Sequence, residues 1–194
     1  MSGRSLRMET LARAQVVAAG AAMGRAGLVR AAEGNLSVRL DWTQILVTPS
    51  GCEKGRLVSP DLVLFRLDVP PPPGVSSEVL AHLATYRRSP DVQAIAHGHP
   101  PAVLALAARG VAPDPALLCE GALILPKVGW VQDFPPGSRD LAEACAAALA
   151  GAPVAVMARH GAIATGRTPR EAVMRLEILE LLARLALDSP GKAR

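Results

Sequence analysis

The order of apolar and polar positions divides the chain into helical and extended segments. From Ser5 to Gly27, apolar residues recur at helical spacing (Leu6, Leu11, Val16, Val17, Met23), and Gly24 and Gly27 mark the end. Asn35 to Leu40 alternates as a strand does. Thr43 to Val47 carries β-branched residues and is halted by Pro49, Ser50 and Gly51. Leu62 to Leu67 reads as a further strand, and the run Pro70 to Pro73 with Gly74 reads as loop. Ser77 to Arg88 is expected to be a helix capped by Ser76 or Ser77, Val92 to His97 a strand, and Pro100 to Ala108 a helix closed by Gly110. Ser138 to Leu149 is Ala-rich and helical, while Val154 to Met157 and Ala162 to Thr165 are strands on either side of His160 and Gly161. The last helix carries the fullest signal. Thr168 as cap, Pro169 in the first turn and Glu171 three residues after the cap form a capping box, and Val173, Leu176, Leu179, Leu182 and Leu185 follow at helical spacing.

No internal repeat or second compositional unit interrupts this pattern, so residues 1–194 are expected to form one domain. Helices and strands mix without strict βαβ alternation. The expected architecture is therefore a three-layer α/β/α sandwich around a central, largely antiparallel sheet.

Composition narrows the chemistry. With 50% apolar residues but only 3% aromatic, the core must be built mostly of Ala, Leu and Val. The net charge is +4 and the pI near 9.4, yet the basic residues are interleaved with acids and only Arg87 and Arg88 stand together. That distribution lacks the basic stripe of a nucleic-acid binder and suits a small anionic substrate. Cys52, Cys119 and Cys145 are odd in number and widely spaced, which argues against a disulfide framework and for a reducing compartment. No leader pattern and no apolar run of membrane-spanning length is present, so a cytoplasmic protein is expected.

Of the four histidines, His97 and His99 lie two apart at a strand end, which turns both imidazoles to one face. Pro100 and Pro101 then stiffen the backbone. Such a pair is a bidentate platform for zinc or a similar ion, and His160, at another strand end in a His-Gly turn, is the natural third ligand. Three protein ligands leave one coordination position open, as catalytic sites do. The same pattern also arises from ordinary core histidines that make hydrogen bonds. His82, inside a helix with no partner at ligand spacing, reads as such a residue. Glu78 stands at a helix start, where an acid is favoured by the dipole. It reads either as a capping residue or as a proton-transfer base beside the metal. Gly34-Asn35, Ser50-Gly51 and Ser76-Ser77 each join a small residue to a turn, where backbone N–H groups can meet a phosphate, and Lys54 follows the second.

Four segments, EGNLSVR (33–39), VTPSGCEKGRL (47–57), SSEVLAHLATYRRSPDVQAIAHGHP (76–100) and RHGAIATG (159–166), resemble the class II aldolase/adducin family in order and spacing. The final helix, with Glu171, Glu177 and Glu180, also fits. The resemblance implies that His97, His99 and His160 bind Zn²⁺ or another divalent transition metal. It makes Glu78 the acid/base, and Gly34, Asn35, Ser50, Gly51, Ser76 and Ser77 the phosphate site. It further implies a homotetramer acting on a phosphorylated sugar, with no nucleic-acid or membrane partner. The leading expectation is an aldolase that cleaves a ketose 1-phosphate to dihydroxyacetone phosphate and an aldehyde through a metal-stabilised enediolate. Methylthioribulose-1-phosphate dehydratase, sugar-phosphate 4-epimerase and sugar-acid-phosphate decarboxylase activities reuse the same site. The epimerase resembles a version with Asp in place of Glu78, and an adducin-like binding module would lack the ligands. One departure stands out. Family aldolases resemble one another in using tyrosines on the aldehyde side, whereas this chain has only Tyr86, within a helix. Glu120 lies in a region where related dehydratases carry an acid, and reads otherwise as a surface residue.

Overall fold

The computed structural model describes residues 3–189. It opens with α1 (Gly3–Arg25), followed by the strands β1 (Asn35–Arg39), β2 (Gln44–Val47) and β3 (Val63–Arg66). Next come α2 (Val79–Arg88), β4 (Ala94–Gly98), α3 (Pro101–Ala107), α4 (Cys119–Ile124) and β5 (Val128–Val131). The chain closes with α5 (Arg139–Leu149), β6 (Val154–Met157), β7 (Gly161–Gly166) and α6 (Pro169–Asp188).

The strands form one sheet in the order β3-β2-β1-β4-β7-β6-β5, antiparallel throughout except for the parallel pair β5 and β6, which α5 connects. A parallel pair requires such a crossover, whereas the antiparallel pair β6–β7 needs only a tight turn. One face of the sheet is covered by α1, α3, α4 and α6, and the other by α2 and α5. The expected three-layer sandwich with a largely antiparallel sheet is therefore what the chain forms. Period-two alternation assigns the faces: Ala94, Ala96, Ala162 and Ala164 point to the α6 side, and Ile95 and Ile163 to the α2 side. The alanines let α6 approach the central strands closely, and Leu176, Leu179 and Leu182 on that helix are fully buried. Each contributes about 1.5–3 kcal/mol relative to exposure.

Local signals place the ends of the elements. At the end of α1 the Gly27 N–H donates to Gly24 O and the Leu28 N–H to Met23 O, with Gly27 left-handed at φ 69°. This is a Schellman closure, sealed by the buried pair Met23 and Leu28. Thr168 caps α6 by accepting the Glu171 N–H at 3.1 Å, but the reciprocal half of the expected capping box is absent. The Glu171 carboxylate takes the Arg167 N–H instead, at 2.9 Å. The helix expected from Ser77 begins at Val79, with single turns closing on Ser76 O and Ser77 O just before it. Strand β5 and helix α4 had no counterpart in the pattern. Both are short, β5 holds Gly129 and lies at the sheet edge, and α4 holds Gly121, whose Cβ would meet Pro115 O at 2.5 Å.

Candidate active site

His97 is the penultimate residue of strand β4, is 2% exposed and lies in register opposite Asn35 of β1 and Ile163 of β7. His99 follows two residues on, where its backbone N–H is anchored by Leu28 O at 2.7 Å. The Schellman turn after α1 thus sets the position of the second histidine. His160 sits in the hairpin turn between β6 and β7, preceded by Arg159 in the left-handed conformation at φ 57°. The three rings converge with centroids 5.0, 5.1 and 5.6 Å apart, and one ligand nitrogen from each lies within 4.8 Å of the others. Gly161 makes room for them. A Cβ there would stand 2.7 Å from His99 Cδ2, 3.1 Å from His97 Cε1 and 2.4 Å from Gly98 O.

The hydrogen bonds around the rings assign their nitrogens. His97 Nδ1–H donates to Ala162 O at 3.0 Å, which leaves a lone pair on Nε2. His99 Nδ1 faces the Glu33 carboxylate at 3.7 Å, and its Nε2 is the inward atom. The two Nε2 atoms stand 3.2 Å apart. Glu78 presents Oε2 to His97 Nε2 at 3.2 Å and Oε1 to His160 Nε2 at 2.5 Å. Lone pairs turned on one another in this way repel unless a proton or a cation joins them. The 3.2 Å separation also matches the edge of a tetrahedron around a zinc ion, roughly 3.3 Å for Zn–N bonds of about 2.0–2.1 Å. The donor set therefore fits a divalent metal with one position left open. Burial lowers the His99 pKa and the neighbouring His97 lowers it further, although Glu33 opposes the shift. Burial pushes the Glu78 carboxyl up, but when His160 and His97 are protonated their hydrogen bonds and charges outweigh it and hold Glu78 well below the usual carboxylate range.

Glu78 occupies the cap position of α2 without making a side-chain cap bond. Its carboxylate is turned to the histidines instead, which removes the capping reading. Asn35 is 1% exposed and donates from Nδ2 to Glu78 Oε2 at 2.9 Å, so its amide addresses the carboxylate directly. Gly34 is required beside it: φ is +67°, and a Cβ would meet His97 O at 2.5 Å.

The other turns of the expected phosphate site adjoin one another. Ser50 N–H donates to Gly74 O at 2.8 Å and Pro49 bridges Val75, which brings Ser50 and Gly51 beside the segment leading to Ser76 and Ser77. Ser76 Oγ accepts the Glu78 N–H at 3.3 Å. Gly137 touches Ser77 so closely that a Cβ would lie 2.8 Å from its Oγ. Thr48, buried and unremarked in the sequence, ties this region to β1: its Oγ1 accepts the Leu36 N–H at 3.1 Å and its own N–H donates to Leu36 O at 3.0 Å. Lys54 is buried and donates to Ala32 O at 3.0 Å and Cys52 O at 2.9 Å, so its ammonium joins the loops before Gly34 and after Gly51. Glu120, on α4, is exposed and does not line the cavity at Glu78.

Two residues of the site escaped sequence reading. Glu33 belongs to the first motif but carried no spacing signal towards His99. His82, read as an ordinary core histidine, lines the cavity between Glu78, Asn35, His97 and His160. The cysteines of the described residues are free. No helix among those residues is long and apolar enough to cross a membrane.

Comparison with known proteins is consistent with this geometry. The model of the class II aldolase and adducin N-terminal domain matches residues 14–187. A methylthioribulose-1-phosphate dehydratase of Acidiphilium cryptum is 36% identical over 183 residues, covering 87% of this chain and 86% of that protein. A 3-oxo-tetronate 4-phosphate decarboxylase of Pectobacterium atrosepticum is 33% identical over 192 residues, with 93% and 86% covered. Among solved structures, the L-fuculose-1-phosphate aldolase of Thermus thermophilus superposes with a TM-score of 0.81 at 31% identity, covering 90% of this chain and 92% of that one.

Proposed function

Because the chain belongs to the class II aldolase and adducin N-terminal domain family, we propose that it is a divalent-metal-dependent carbon–carbon lyase acting on a phosphorylated keto sugar or keto sugar acid. The observation that carries this reading is the set of potential ligand atoms, three imidazole nitrogens and the Glu78 carboxylate, turned on one another at the ends of β4 and the β6–β7 hairpin. His97, His99 and His160 would hold the metal, with zinc the expected ion for three imidazoles and an open position. A divalent ion there supplies Lewis acidity to the substrate carbonyl and its neighbouring hydroxyl. Glu78 stands where it can return a proton to the adjacent carbon, or remove one. Gly34, Asn35, Ser50, Gly51, Ser76 and Ser77 are the proposed phosphate site, with Asn35 also holding Glu78. Binding energy from the phosphate, remote from the breaking bond, would position the substrate.

Aldol cleavage to dihydroxyacetone phosphate needs a second group to accept the hydroxyl proton of the departing aldehyde. Tyr86 is 2% exposed and bound to Ser37, so it cannot serve. Decarboxylation of a 3-oxo sugar-acid phosphate releases neutral carbon dioxide and asks only that one proton, which Glu78 would take up from solvent and pass on, be returned to carbon. That is the carbon–carbon scission that asks least of this chain's own residues, and the decarboxylase relative supports it. Dehydration is the second reading, favoured by the dehydratase relative. A homotetramer belongs to the same proposal and is checked by the mass in solution.

The test is zinc-loaded protein supplied separately with 3-oxo-tetronate 4-phosphate, fuculose 1-phosphate and methylthioribulose 1-phosphate. Metal-dependent release of carbon dioxide or dihydroxyacetone phosphate, lost in Glu78→Gln, is expected. Turnover of methylthioribulose 1-phosphate alone would establish the dehydratase. No turnover with any metal would point to a binding module.

A further inference from the structure

The polar residues of β1 and α2 repeat in step. Asn35, Ser37 and Arg39 lie two apart on one face of the strand, and Glu78, His82 and Tyr86 lie four apart along the helix. Four helical residues advance about 6 Å and two strand residues about 6.6 Å, so the two stripes keep register as they run together. They meet rung by rung. Asn35 donates to Glu78 at 2.9 Å, and Ser37 Oγ lies 2.7 Å from His82 Nδ1 and 2.8 Å from Tyr86 Oη. Arg39 donates to Tyr86 O at 2.8 Å. Apart from Glu78, every member is buried.

Two atoms of this ladder have no hydrogen-bond partner among the described residues: His82 Nε2 and Asn35 Oδ1. Both residues line one small cavity of about 10 Å³, together with Glu78, His97 and His160. That is close to the volume at which a single water fits, provided polar partners await it. Burial, with His97 nearby, lowers the His82 pKa to about 3, so the ring is neutral and carries one proton. An amide oxygen can only accept. The two contacts of Ser37 are filled by the two hydroxyl protons of Ser37 and Tyr86, and a third proton on Nδ1 would leave one O–H buried without an acceptor. His82 Nδ1 therefore accepts from Ser37, Ser37 accepts from Tyr86, and the proton of His82 stands on Nε2.

We infer that His82 is a positioning residue whose Nε2–H, through one water in this cavity, engages Asn35 Oδ1 and fixes the Asn35 amide with its NH₂ on Glu78. All bonds of the chain Tyr86, Ser37, His82, water, Asn35, Glu78 then point one way. Without the His82 donor the Asn35 amide is free to flip, which sets its oxygen against the Glu78 carboxylate and drives that group out of place. The consequence for turnover rests on Glu78 being the proton-transfer group, but the hydrogen-bond chain itself does not.

The experiment is nuclear magnetic resonance of the ¹⁵N-labelled full chain, which reads the imidazole tautomer and the exchange of the Asn35 amide protons. His82 is expected to be neutral with its proton on Nε2, and one Asn35 amide proton to be protected. His82→Leu should lower that protection at least ten-fold, and His82→Gln, which can still donate, should restore it. Ser37→Ala, a milder change, should leave His82 as a mixture of tautomers. A proton on Nδ1 in the wild-type protein, unchanged Asn35 protection in His82→Leu, or an unchanged tautomer in Ser37→Ala would overturn the inference. None of these readouts needs a substrate, so failure here and failure of the proposed reaction are told apart.

Discussion

At the scale of single residues, the site rests on what each histidine's second nitrogen does. His97 is oriented by a carbonyl, His99 is faced by the Glu33 carboxylate at 3.7 Å, and His160 Nδ1 is buried without a partner among the described residues. Outer partners that fix a ring typically contribute 10–100-fold to metal affinity. Glu33→Ala should therefore weaken zinc binding by about ten-fold or more in a chelator competition. Unchanged affinity would mean that Glu33 does not orient His99. Glu78→Gln should abolish turnover and leave metal content intact, and loss of the metal as well would make Glu78 chiefly structural. The residues legible in the chain were those whose own spacing carries chemistry. His97 and His99 announce themselves through period-two alternation, whereas Glu33 and His82 act through neighbours brought close only by folding.

At the scale of elements, α6 reaches the site through one buried side chain. Glu180 accepts the Ala102 and Val103 N–H groups at 2.9 and 3.2 Å, closing the first turn of α3 just beyond His99 and the two prolines. Glu180→Ala would leave those donors buried and unpaired, at a cost of about 1–3 kcal/mol. Urea unfolding should show a lower midpoint with an unchanged slope. An unchanged midpoint would mean that water replaces the carboxylate without loss. Most helices and strands were readable because a periodic apolar face must be buried. The stripe of Asn35, Ser37 and Arg39 was not, since polar alternation on a strand ordinarily faces water. Here it is covered by the polar stripe of α2. Strand β5 was also hidden, because four residues including a glycine carry too little pattern to separate from loop.

At the scale of the molecule, the sandwich expected from mixed helices and strands formed, with β5–α5–β6 as its single parallel unit. Folding also changes proton binding. His82 drops from 6.5 to about 3 on burial, so below pH 6.5 the unfolded chain takes up a proton that the folded protein refuses. Its contribution is complete above that pH and is lost as the pH falls towards 3, by up to about 1.4 kcal/mol per pH unit. His99 and Glu78, both also depressed, add to the loss in their own ranges. His82→Gln should flatten the dependence between pH 6.5 and 5 by close to one proton, and an unaltered slope would place His82 in a more open setting. The account as a whole stands on the metal. Calorimetric titration of Zn²⁺ into chelator-treated protein, beside His160→Ala, tests it most directly. One tight equivalent per chain that the substitution abolishes is the expected result. No binding, or binding indifferent to His160, would contradict it.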